Sequence, residues 1–267
     1  MPFGLTTNII SAITESIAAC PSVSRLVLFG SRAKGNYAPG SDIDIAVFGE
    51  NLTFDDFLDF SIKIDTLEIA NKVDLIHYQT IRDSDLVEHI GRVGIVLYDN
   101  GNYRKYGLPP LIDEHSKLLI LGSFPSELSL ETQQYYANPA NQFWKILFGA
   151  FNESVPLEYS EKTSWLKMHR IALWDSIGSC LRQGSSDSKI TFPFANDLDQ
   201  LIKAHPGLTH LLFNGNNPLI FFSKLGLNEG RLVSVPPFPS TSSLYTRITL
   251  AEKIDRWKVI RHIPSLR

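Results

Sequence analysis

Apolar runs of strand length alternate with stretches of helical period along nearly the whole chain, and this alternation limits the available folds more than any single residue does. In the first part the runs are Arg25–Phe29 (RLVLF), Asp42–Phe48 (DIDIAVF, with period-two alternation) and Val73–His77 (VDLIH). Thr53, with Asp56 following as in a capping box, opens a helix that places Phe57, Phe60, Ile64 and Leu67 on one face; a second helix is expected over Asp85–Val93. In the second part Lys117–Leu121 (KLLIL), Ile171–Trp174 (IALW), Leu208–Phe213 (LTHLLF) and Arg231–Val235 (RLVSV) are continuous apolar runs, as in strands buried on both faces of a parallel sheet. Helices are expected near 141–151, 160–169, 197–204, 217–225 and 249–259. Such a sheet carries its ligands at the carboxyl ends of its strands.

The 267 residues suit two domains. The segment DNGNYRKYGLPPLIDEH has no hydrophobic period, so a linker is expected over 102–113, between a domain at 1–101 and another at 114–267. Residues 1–101 hold 7 Lys/Arg against 14 Asp/Glu, a charge of −7, whereas residues 102–267 hold 18 against 14, a charge of +4. The basic half suits a nucleic-acid partner. No apolar run approaches the roughly 18 residues that span a bilayer, and the first residues, with Glu15 and no basic cluster, do not read as a secretory signal. With 2 cysteines there is no disulfide framework and no four-cysteine zinc site. A cytoplasmic protein without membrane contact is expected.

In the first part the chemistry lies at strand ends. Asp42 and Asp44, two apart on a strand, point to one side of the sheet, and Asp74 can join them from the third strand. Hard carboxylate oxygens on one rigid face suit Mg²⁺, with positions left for water and phosphates. Gly30-Ser31 follows the first strand, where a glycine lets the backbone approach a triphosphate closely. The segment LFGSRAKGNYAPGSDIDIAVF resembles the minimal branch of the polymerase-β-like nucleotidyltransferase superfamily, over nearly all of residues 5–101. That resemblance implies a small mixed-sheet fold, an NTP substrate held by Gly30 and Ser31, and metals at Asp42 and Asp44 with Asp74 as third carboxylate. It implies transfer of a nucleoside monophosphate to a hydroxyl, on an acceptor that is either nucleic acid or a partner protein.

In the second part, small residues, hydroxyls and carboxamides collect after four successive strands: Gly122-Ser123-Phe124, Asp175-Ser176, Asn214-Gly215 and Pro239-Ser240-Thr241-Ser242. Such loops line a polar crevice. Between the first two lies the aromatic cluster Tyr135-Tyr136 through Phe143-Trp144, with Asn141 placed to start a helix. These segments look like the DNA-deoxyinosine (hypoxanthine) glycosylase branch of the uracil-DNA glycosylase superfamily, from about residue 114 to 260. The resemblance implies a three-layer α/β/α domain with a parallel sheet, no metal, and DNA containing deaminated bases as substrate. It assigns water placement to Asn141, base stacking to Tyr136, a second important carboxamide to Asn214, and the DNA backbone to Ser240, Thr241 and Ser242. Phe124 stands where related enzymes carry an asparagine. There are two departures from the family pattern: Asn138 replaces a histidine, and the segment Ser243-Leu244-Tyr245-Thr246 replaces Pro-Ala-Asn-Ala, which makes Leu244 and Tyr245 the candidate wedge. Lys253, Arg256, Lys258 and Arg261 could hold the strand. A glycosylase fold that grips nucleic acid without turnover is the alternative.

Overall fold

A computed structural model describes residues 2–263; Met1 and residues 264–267, which the expected domains include, lie outside the described residues. The chain divides into two compact units, Met1–Lys105 and Tyr106–Arg267.

The first unit runs α1 (Thr7–Ala18), β1 (Arg25–Phe29), α2 (Gly30–Lys34), β2 (Ile43–Phe48), α3 (Phe54–Asp65), β3 (Val73–His77), α4 (Ser84–Val93), β4 (Ile95–Asp99) and β5 (Asn102–Tyr106). Its strands lie in the order β3-β2-β1-β4-β5. The β2–β3 pair is parallel and the others are antiparallel, so the sheet is mixed. The capping box at Thr53 forms as the spacing predicts. The expected linker starts differently. Asn100 and Gly101 both have positive φ and join β4 to β5 as a two-residue hairpin turn, the geometry Asn-Gly favours. Further on, Leu108 is buried in the second unit's core, and Leu111 exchanges backbone hydrogen bonds with Leu173. Residues 102–113 are thus strand and packed chain, because their apolar residues find neighbours the local pattern does not show.

The second unit contains β6 (Leu118–Gly122), α5 (Glu127–Thr132), α6 (Phe143–Ala150), α7 (Tyr159–Met168), β7 (Ile171–Asp175), β8 (Ile177–Leu181), β9 (Thr191–Ala195), α8 (Leu198–Ala204), β10 (His210–Asn214), α9 (Asn216–Lys224), β11 (Val233–Phe238) and α10 (Leu250–Trp257). A parallel sheet has the order β11-β10-β6-β7. All of β6 and β7 is buried, which is why those strands read as unbroken apolar runs. Helix α6 buries Phe143, Ile146, Leu147 and Phe148, and Trp257 of α10 packs edge-on against Phe143 and Phe238. Each such side chain contributes about 1.5–3 kcal/mol on burial. The chain passes from β6 to β7 on one side and later returns to β10 on the other. The carboxyl ends of β6 and β10 therefore flank the point where the connections diverge, which is where an open α/β sheet forms its crevice. No described helix is long and apolar enough to cross a membrane.

Candidate functional sites

In the first unit, Asp44 of β2 lies opposite Asp74 of β3 and Phe29 of β1, while Asp42 sits just before β2 rather than within it. Burial raises the Asp44 pKa above the ordinary carboxylate value, and the charges of Asp74 and Asp42 raise it further against Arg32 and Lys72. Gly30 has a φ of +69°, and a Cβ there would come within 2.1 Å of Asp44 Oδ2. Glycine is required at this position for both reasons. Arg32, which the sequence reading passes over, is buried and anchors the approach to the acids. Its guanidinium donates to the Ser41 carbonyl at 2.7 Å, the Asp42 carbonyl at 3.1 Å and the Phe3 carbonyl at 3.1 Å.

The third carboxylate is engaged elsewhere: Lys72 Nζ holds Asp74 Oδ1 at 2.6 Å. Among the described residues no group of three acids, histidines or cysteines is gathered to hold a metal. Three like charges repel, and here one of them finds an ammonium. The Asp42 and Asp44 carboxylates still form a hard-oxygen pair whose mutual repulsion a divalent cation would relieve.

In the second unit a cleft of about 750 Å³ opens over the strand ends, lined by Gly122, Asp175, Asn214, Tyr136, Asn141 and the 237–245 loop. Its centre is a chain of hydrogen bonds. Asn214, 8% exposed at the end of β10, donates from Nδ2 to the Tyr136 hydroxyl at 3.0 Å and to Thr241 Oγ1 at 2.9 Å. Its Oδ1 accepts from the Thr241 backbone N–H at 3.0 Å. The Thr241 hydroxyl in turn donates to Asn141 Oδ1 at 3.1 Å, which also accepts from the Phe143 N–H at 2.9 Å. Both acceptor positions of Asn141 are thus filled, and Nδ2, which donates to nothing among the described residues, is its available end. Helix α6 begins two residues after Asn141, so Asn141 braces the N–H of the first helical residue from outside the helix.

Several expected contacts are placed differently. Thr241 is 0% exposed, so its hydroxyl faces two asparagines and cannot reach a phosphate. Lys253 is buried too; it donates to Gln142 Oε1 at 2.8 Å and to the Ser242 carbonyl at 3.3 Å, bracing the loop from beneath. Tyr245 lies over Lys253, with Nζ 5.3 Å from the ring centre, whereas Leu244 is 84% exposed. Ser240 and Ser242 are half-buried and accept backbone N–H groups of their own loop, at 3.2 Å each. Tyr136 stacks one ring face on Phe143 at 3.8 Å. Its hydroxyl is held protonated by burial and by nearby Asp175. Ser123 and Phe124 are buried, with the Arg182 guanidinium 4.9 Å from the Phe124 ring centre.

The arrangement puts two carboxamides and a phenol in one cleft at the strand ends of the parallel sheet, and the second unit's sequence is similar to the following proteins. A Methanosarcina acetivorans protein, hypoxanthine DNA glycosylase, is 36% identical over 159 residues, 59% of this chain and 99% of that protein. The hypoxanthine DNA glycosylase of Methanosarcina barkeri is 38% identical over 113 residues, 42% of this chain and 72% of that protein. A solution NMR structure from Methanosarcina acetivorans, assigned to the uracil DNA glycosylases, covers 60% of this chain and 99% of its own at 34% identity, with a TM-score of 0.47. Residues 11–102 match the family model for polymerase beta nucleotidyltransferases. The chain belongs, through its second unit, to the hypoxanthine DNA glycosylase family. It joins a hydrolase unit to one of nucleotidyltransferase type.

Proposed function

We propose that the second unit, taken as residues 114–267, excises hypoxanthine, and more slowly uracil, from DNA as the first step of base excision repair. The observation that carries this reading is the bonded series Tyr136–Asn214–Thr241–Asn141 at the strand ends of a chain in the glycosylase family. Cleavage of the N-glycosidic bond passes through an oxocarbenium-like sugar, so the protein must place a water and accommodate a departing base. A carboxamide takes no proton at neutral pH. Asn141 Nδ2 would position the water by donating to it rather than by activating it, which suits bases that leave readily or flip from weak pairs. Tyr136 stacks on the flipped base, Gly122, Ser123 and Phe124 border it, and Ser240 and Ser242 meet the DNA backbone. Leu244 enters the stack.

The first unit, taken as residues 1–101, would transfer a nucleoside monophosphate from an NTP. Gly30 and Ser31 would hold phosphates. Mg²⁺, bound by Asp42 and Asp44 and by Asp74 once Lys72 releases it, would neutralise phosphate charge. Cys20 and Cys180, neither of them in a disulfide, agree with work in the cytoplasm.

The test is a panel of oligonucleotides carrying hypoxanthine, uracil, a thymine mismatch or xanthine, scored for strand breaks after alkali. Hypoxanthine should be cut fastest; binding without any cut would favour a nucleic-acid-binding module. Labelled NTP with Mg²⁺, offered nucleic acid or protein, reports the first unit's acceptor.

A further inference from the structure

The cleft also holds a carboxyl group that has no part in placing the water or stacking the base. Asp175 ends β7 beside Gly122 of β6, is 5% exposed, and lines the cleft. A Cβ on Gly122 would lie 2.3 Å from Asp175 Oδ1 and 3.3 Å from the Tyr136 hydroxyl, so only glycine lets these two groups share the cleft floor. Asp175 Oδ2 is buried and has no hydrogen-bond partner among the described residues. A buried polar group with no partner in the protein calls for one from a ligand.

We propose that Asp175 reads and protonates the extruded purine, donating as a carboxylic acid to N7 of hypoxanthine and passing that proton over as the base departs. The inference rests on the glycosylase reading. The C1′–N9 bond breaks with its electron pair going to the purine, and N7 takes the Asp175 proton, so the base leaves neutral. The oxygen of the water bonds to C1′, and the proton it sheds returns to Asp175 directly or through solvent. Pyrimidines offer no N7, so the same group favours purines.

The surroundings keep that proton in place. Burial, with the Asp187 charge added and Arg182 opposing, pushes the Asp175 pKa up to about 8. Tyr135 and Tyr136, the other titratable groups facing it, both have raised pKa values and stay neutral, and Arg247 and Arg256 line the same cleft.

The experiment is single-turnover release of hypoxanthine across neutral and alkaline pH by the full chain and by Asp175→Asn. Asparagine still donates a hydrogen bond but has no proton to give. The variant should be about 100–10,000-fold slower at neutral pH, the usual range for a general acid. It should also lack a descending limb near pH 8 that the wild type shows. The substrate's own N1 proton titrates alike in both enzymes, so the difference between profiles isolates Asp175. If tryptophan fluorescence shows that Asp175→Asn does not fold, Asp175→Ser replaces it with the same expectation. A variant within about threefold of wild type, or profiles of the same shape, would overturn the role. A wild type that releases no base at any pH instead defeats the glycosylase reading, and this inference with it.

Discussion

Replacing Thr241 by valine removes one hydroxyl from a site that is 0% exposed and keeps the side-chain shape. Two hydrogen bonds go: the 2.9 Å bond from Asn214 Nδ2 and the 3.1 Å bond to Asn141 Oδ1. The backbone bond from Thr241 N–H to Asn214 Oδ1 survives. Asn141 is half-exposed, so water can replace what it loses at little cost. Asn214 is not, and one of its amide hydrogens is left without a partner, which costs about 1–3 kcal/mol. At roughly 2–4 °C per kcal/mol for a domain of about this size, Tm should fall by about 4–8 °C for a mid-range loss. All 4 tryptophans lie in the second unit, so their fluorescence follows its unfolding alone. Asn141 also loses one of the two bonds that fix its amide, and a misplacement of about 1 Å can slow a reaction by about 100-fold. Hypoxanthine excision should therefore slow by about 10–100-fold while DNA affinity changes little. Thr241→Ser, which keeps the hydroxyl, should remain close to wild type. A Thr241→Val protein that melts lower but excises at the wild-type rate would show that the hydroxyl stabilises the loop without positioning Asn141.

Asp42→Asn or Asp44→Asn should abolish Mg²⁺-dependent nucleotide transfer and leave excision within a few-fold; loss of both activities in a folded variant would reject independent sites. Leu244→Ala should slow excision from duplex DNA much more than from single strands, because filling the gap of a flipped base matters only in a stack. Equal losses on the two substrates would rule out the wedge. Asp175→Asn should become more stable relative to wild type as pH rises from about 4 to about 8 and then level off. In that window the carboxyl is protonated when folded and ionised when unfolded, so unfolding releases a proton and rising pH destabilises only the wild type. Calorimetry of both proteins showing a pH-independent gap would contradict this titration.

The strands β1 and β3 have the ends their sequences predict, because short apolar runs between polar breaks leave little choice of register. The hairpin β4–β5 is signalled by Asn100-Gly101, but the lack of hydrophobic period after Gly101 reads as a linker and masks it. Gly122, Tyr136, Asn141 and Asn214 are brought to one cleft, as their positions after strands and beside the aromatic cluster suggest. What sequence could not show is which polar side chains turn inward. Thr241 stands in a run of hydroxyls and Lys253 in a basic stretch, yet both are buried, because the 237–245 loop folds back between the start of α6 and α10. Asp175 did carry a signal: an acid directly ends the apolar run IALW, where solvation of its carboxylate is hardest.

The central claim, that Asn141 serves N-glycosidic hydrolysis of hypoxanthine, is tested most directly by chromatographic measurement of free base released from inosine-containing DNA by wild type and by Asn141→Ala. The wild type should release hypoxanthine and leave an alkali-labile site. The variant should be about 100–1,000-fold slower, by analogy with the loss of about 2.7–4 kcal/mol when one positioned polar group is removed from a transition state. Its tryptophan melt should shift by no more than loss of a brace at a helix start explains, about 1 kcal/mol. A folded Asn141→Ala protein that releases base as fast as wild type, or a wild type that releases none, would contradict the account.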